Sequence, residues 1–435
     1  MTQAAGGRTL FLAALVLIQT VRLHAESGLV YPPNDRAHQY ARHSHTTIAA
    51  GLAALSPGDT LQVMPGDYNH DLEAPYFEKV AIVTPRVTLQ SDPGAIIEGT
   101  IHVNAPGVTL RALTVFGTDA CIVLGPGASD CRIEMCRIVT SAEDGIAIDV
   151  VGPRAPNVNI VNSTIYTPGG HHPDTDSRGL KHNWKRFERS GVGIRIEGDS
   201  SNAGALIHHN RIAGYSTALE FGNPAAELSG IRLWKNRVTA NTTGLRLFGV
   251  DSLVEDNEFS RNTGIGVEIH GRGNRLAANR IMGNTGSGAI VSGTDVVNNV
   301  VRDNRGGAIQ TIASARVIHN TFHTNGGYLL TVAVLNYAEP RGVVFINNLV
   351  DHDGPLFQND VPDARRHNVY ANHAVPSQLG KGSRFGPVLF RDVARRDYRP
   401  DVHSVAVDAG VVLTPDEGFP ARDMMGGGPN HRRIA

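Results

Sequence analysis

From residue 145 onward the chain repeats one short pattern of hydrophobic positions: a glycine, an apolar residue, a variable residue and a second apolar residue. It reads GIAI at 145, GIRI at 193, GLRL at 244, GVEI at 266, GAIV at 288 and GAIQ at 307, with ALEF at 218 as a variant. A second series places a small polar residue, one spacer and an apolar residue at Cys136, Ser163, Asn210, Asn236, Asn257, Asn279, Asn299, Asn320 and Asn348. The two series run in phase, and most steps span 19 to 28 residues. Repeats of that length are solenoid turns, each too small to bury its own apolar face.

Within a unit, stretches such as LVEDNEF and GVEIH alternate apolar and polar residues with period two, split by Gly, Asn, Asp and Ser. No unit has room for a helix, which excludes leucine-rich and helical repeats. Short strands stacked in parallel at about 4.8 Å predict an all-β chain, a parallel β-helix of about eleven turns between Val87 and Val350, roughly 50 Å long. Asparagine recurring once per turn fits a bend that tolerates left-handed backbone, with side-chain amides bonded along the axis. The open ends need covers. In front, TTIAAGLAALSPGDTLQVMPGDY predicts an amphipathic helix with Ile48, Leu52 and Leu55 on one face, then a first strand. Behind, residues 351–435 lose the period and are expected to fold back on the last turns. The expected organisation is a signal peptide at 1–25, a capping segment at 26–86, the β-helix at 87–350 and an irregular tail.

Composition agrees with this picture. Aromatic residues are 6% of the 435 and glycines number 48, as suits a turn-rich β chain with a Val, Ile and Leu core. The formal net charge of −1 provides no global field for nucleic acid, so a charged ligand must be met by a local patch. Residues 1–25 combine Arg8, an apolar run from Leu10 to Ile18 and a small residue, Ala25. They predict a secretory signal, and with it a secreted or periplasmic protein with no membrane span after maturation. The three cysteines, Cys121, Cys131 and Cys136, lack metal-binding spacing and are expected to be buried thiols.

The front segment with PGDTLQVMPGDY, the Asn-x-apolar turns and the tail FRDVARRDYRPDVHSVAVDAG resemble secreted bacterial right-handed parallel β-helix proteins of the pectate-lyase-like superfamily. The likeness spans nearly the whole mature chain. It implies the fold, whereas the reaction stays open, because that superfamily includes polysaccharide lyases, glycoside hydrolases, uronate epimerases and proteins without known chemistry.

Candidate chemistry begins with a break in the period. The polar marker and the next Gly strand are usually 7 to 9 residues apart, but 30 separate Ser163 from Gly193. The inserted text, YTPGGHHPDTDSRGLKHNWKRFERS at 166–190, holds Arg178, Lys181, Lys185, Arg186, Arg189, three acidic residues, three histidines and Trp184. Long loops on repeat scaffolds are usually functional. By strand parity, the solvent face beside it carries Ala147, Arg195, Glu220, Arg246, Glu268, Ile290 and Ile309 in successive turns. A second column carries Asp149, Glu197, Gly222, Phe248, His270, Ser292 and Thr311.

Two readings of these charges stand side by side. One is a ladder of ion pairs, each contributing about 0–1 kcal/mol. The other is a groove for an acidic polysaccharide, with Trp184, Lys185, Arg186, Glu220, Glu268 and His270 contacting sugar. On a uronate polymer the expected reaction is β-elimination, with Lys181 or His182 removing the C5 proton and Arg195 and Arg246 on the adjacent carboxylate. Calcium would draw on Glu143, Asp144, Asp149 and Glu197. A C5-epimerase would use the same groups. A hydrolase would need two carboxylates such as Glu220 and Glu268, and a glycan-binding or envelope structural protein would need no chemistry at all.

Overall fold

The computed structural model describes residues 27–30, 44–65, 76–77, 80–92, 94–117, 119–140, 144–152, 155–167, 190–197, 202–332, 342–358, 364–371, 380–395 and 397–411. The expected signal peptide lies outside them. Three strands form each turn, and equivalent strands of successive turns pair in parallel into three long sheets of 15, 14 and 13 strands. Eleven complete turns run from Thr88 to Gln358, preceded by one turn formed by Thr60–Val63, Tyr76–Phe77 and Val80–Ile82.

Alternation decides which residues fill the interior. In the turn made of Leu253–Glu255, Glu258–Ser260 and Val267–His270, Val254, Phe259, Val267 and Ile269 point inward and are fully buried. Each such side chain contributes about 1.5–3 kcal/mol. The repeated glycine has a steric cause. A Cβ on Gly244, Gly266 or Gly288 would lie 2.3, 2.6 or 2.6 Å from a carbonyl oxygen of the next turn, so only glycine lets the backbones stack there.

The polar series is an internal ladder. The backbone N–H of Asn257 donates to Asn279 Oδ1 at 2.9 Å, and its Nδ2 donates to the same oxygen and to the carbonyls of Leu233 and Glu255. The contact repeats from Ser163 to Asn368, every member being buried. The left-handed residue is the one before each asparagine, as at His209, Lys235, Asp256, Ala278, Asn298 and His319. The asparagine itself serves as the buried crosslink. A second ladder through Asn241, Asn262, Asn284, Asn304 and Asn325 escaped the sequence reading, because its markers sit close to glycine-rich bends.

In front, helix α1 (Ile48–Ala53) is capped by Thr47, whose Oγ1 accepts the Ala50 N–H at 3.1 Å. Ile48 and Leu52 are buried and Leu55 packs partly against the core. Behind, the antiparallel pair Phe390–Asp392 and Asp397–Pro400 sets Phe390 and Tyr398 against His323 of the second sheet. Asn347 holds Val411 by two hydrogen bonds.

All three thiols are buried and free. Burial pushes the Cys121 and Cys136 thiols up to about 12 and Cys131 to about 11, which removes the reactive thiolate. The native protein is expected to leave a colorimetric disulfide reagent unreacted at neutral pH, and to titrate three thiols only after denaturation.

Candidate functional site

The outward face of the third sheet carries one continuous column. Backbone register aligns Val123, Asp149, Arg195, Glu220, Arg246, Glu268, Ile290, Gln310, Thr331 and Gln358 in consecutive turns. This corrects the parity assignment at three places. Ala147 points into the core, because Ile148 pairs with Ile194 and brings Asp149 beside Arg195. Gln310 replaces Ile309, and Thr311 is buried. Glycines at 145 and 307 begin their motifs out of step with the strand that follows, so matching glycines shifted the columns.

The charges are mutually paired. Arg195 donates to both oxygens of Asp149, at 2.9 and 2.7 Å, and lies 3.1 Å from Glu197. Arg246 sits between neighbouring turns, 3.4 Å from Glu220 and 3.1 Å from Glu268. Asp149 is almost fully buried, so its fork with Arg195 is the strong one. Arg195→Ala is expected to lower the unfolding free energy by about 2 kcal/mol through the stranded carboxylate. Arg195→Lys should recover only part of this, because it loses the bidentate geometry. Urea denaturation reads both.

At the end of the charged run, His270 Nε2 meets Glu268 Oε1 at 2.9 Å. The His270 bond, with Arg246 beside it, holds the Glu268 carboxyl below its usual range despite partial burial. An ionised carboxylate only accepts, so Nε2 carries the proton and the lone pair of neutral His270 lies on Nδ1. The Phe248 ring, 4.7 Å away and 12° from parallel, fixes the imidazole plane. An oriented imidazole on an open face can take up or release a proton. Glu268 and His270 share a face at i, i+2 within VEIH, and that spacing is the sequence signal that singles out the pair.

Four carboxylates, Asp149, Glu197, Glu220 and Glu268, outnumber the two guanidiniums of this strip. A polyanion therefore needs cations from elsewhere. The insertion enters the third sheet through Val192, opposite the strand end that bears His270. Lys181, His182, Trp184, Lys185, Arg186 and Glu143 lie outside the described residues. Asp144 is exposed, in the turn before the strand Ile146–Val150.

The calcium expectation meets a poor donor set. Calcium takes six to eight oxygens, whereas both oxygens of Asp149 and one of Glu197 are engaged by Arg195. Among the described residues no three His, Cys, Asp or Glu side chains are grouped so as to hold a metal. The described residues thus do not fit a calcium cage. No described helix is long and apolar enough to cross a membrane.

A family model described as "Right handed beta helix region" matches residues 192–350. The fold is a right-handed β-helix. Among solved structures, this β-helix is similar to a mannuronic acid specific polysaccharide family 6 lyase from human gut microbiota, at 15% identity and a TM-score of 0.55. That match covers 83% of this chain and 91% of the other. It is also similar to the PL6 family alginate lyase AlyGC, at 16% identity and a TM-score of 0.56, over 91% of this chain but only 60% of that one. No curated protein sequence matches it.

Proposed function

We propose that this β-helix is a polysaccharide lyase that cleaves an acidic, uronate-containing polymer by β-elimination across the third sheet. The observation that carries the reading is the Glu268–His270 pair at the end of a column of arginines and carboxylates. His270 Nδ1 takes the C5 proton of a bound uronate, the C4–O bond breaks as the C4=C5 double bond forms, and the departing oxygen takes a proton from solvent water, the imidazolium later returning its proton to solvent. Glu268 keeps the imidazole oriented and stabilises its charged form. Arg246, with Lys181, Lys185 and Arg186 of the insertion, provides positive charge for the uronate carboxylate. Arg195, His182 and Trp184 complete the groove, and the lyases that share the fold support an acidic polymer as substrate.

Hydrolysis ranks lower on this geometry. A glycosidase needs one carboxyl held protonated, whereas Arg246 and His270 keep Glu268 ionised. The test is a near-ultraviolet absorbance screen for unsaturated uronates against alginate, pectate, chondroitin, heparin and hyaluronan, with and without calcium. A rising signal on one polymer supports elimination and names the substrate. Silence on all of them, with exchange of the C5 proton into solvent deuterium, would replace it by epimerisation. Silence in both assays would leave a glycan-binding or structural rod of the cell envelope.

A further inference from the structure

A second cluster of ionisable rings lies away from the charged strip, at the bend between the first and second sheets. His208 ends the strand Leu206–His208 and aligns with Trp234 of the next turn. Their rings stack with centroids 4.0 Å apart and planes 4° from parallel. His209 adopts the left-handed conformation that this bend requires, with φ of 58°, and sets its ring edge-on to both neighbours. The two Nδ1 atoms are 2.9 Å apart.

The His208 ring is held by stacking on Trp234, and the Nδ1 atoms of the two histidines face each other. Burial holds His208 below its usual range, and His209 and Arg132 add to the effect. Arg132 is itself tied to Glu134, which tempers its repulsion of a cation. In the free protein one Nδ1–H lies between the two rings. A tautomeric shift of that proton to Nε2 frees both lone pairs with no net proton loss.

The spacing selects among metals. Two nitrogens each about 2.0 Å from one ion lie about 2.8 Å apart at the right angle of a square plane, and about 3.3 Å apart at the tetrahedral angle. The observed separation matches the first. We propose that His208 and His209 form a two-imidazole site for a divalent cation of tetragonal preference, copper(II) ahead of nickel(II) and zinc(II), with water in the remaining positions. The site is independent of the reaction assigned to the third sheet.

Trp234 reports on it directly, because a paramagnetic ion beside His208 quenches a ring stacked at 4.0 Å. Copper(II) chloride is titrated into the full chain carrying Trp184→Phe, which leaves Trp234 as the one tryptophan of two. The expected result is saturable quenching with nitrogen hyperfine coupling in the copper spectrum, and a midpoint below that for nickel(II). His209→Asn retains a residue suited to left-handed backbone and should raise the midpoint by more than about tenfold, the least expected when even outer-shell changes cost that much. His208→Ala should do the same. An unchanged midpoint in both variants, or zinc(II) displacing copper(II) at equal concentration, overturns the proposal.

Discussion

Asn279→Ala lowers the stability of the rod by about 3–6 kcal/mol, the expected sum of several buried polar groups stranded together. Asn279 Oδ1 accepts both the backbone N–H and the Nδ2 of Asn257. Its own Nδ2 donates to the carbonyls of Val254 and Ala277 and to Asn299 Oδ1. Alanine leaves the Asn257 N–H without an acceptor and takes a donor from Val254, in a place that is fully buried. Asn279→Ser should cost markedly less, because Ser163 already performs the same task for Cys136 at 3.1 Å. A urea midpoint that falls at constant slope is the measurement. Equal stability of the alanine and wild-type chains would mean that the ladder adds nothing to cohesion.

His270→Ala is expected to reduce the elimination rate by about 10²–10⁴-fold, the range for a lost general base. Glu268→Gln tests the partner. An amide can present either its oxygen or its NH₂ to Nε2, so the tautomer is no longer enforced and the imidazolium loses its counter-charge. The turnover number should drop by a smaller factor than for His270→Ala. The folded carboxyl also sits below its unfolded value, so its contribution to stability is present above the usual carboxylate range and fades as pH falls through that lowered value. Unchanged turnover in His270→Ala would move the base to the insertion.

The fold was legible because each turn is too small to hide its pattern. Glycine, alternating apolar residues and asparagine recur where backbone packing, core and crosslink demand them, and a stack of parallel β turns follows from that phase. Register was less legible. A glycine marks where backbones crowd, and at 145 and 307 it stands out of step with its strand, so Ala147 was read where Asp149 belongs and Ile309 where Gln310 belongs. Arg195, Glu220, Arg246 and Glu268 were correctly placed on one face, but their mutual pairing depends on side-chain reach. The contact between Glu268 and His270 depends on the shared face of VEIH and on the reach of both side chains. The insertion has no period, so sequence gives its charge and nothing of its path.

The asparagine ladder also sets the rule by which such a chain can change length. From Asn257 onward each crosslink joins the asparagine one turn before it to the one after it, with backbone carbonyls of its own and the preceding turn as its other partners, and the third-sheet column behind Glu268 carries no charge. Excising residues 279–298 would bring Asn299 beside Asn257 and Asn304 beside Asn262, with every seam intact. The rear of the molecule is thus a stack of interchangeable links, adjustable by whole units without disturbing the charged turns in front.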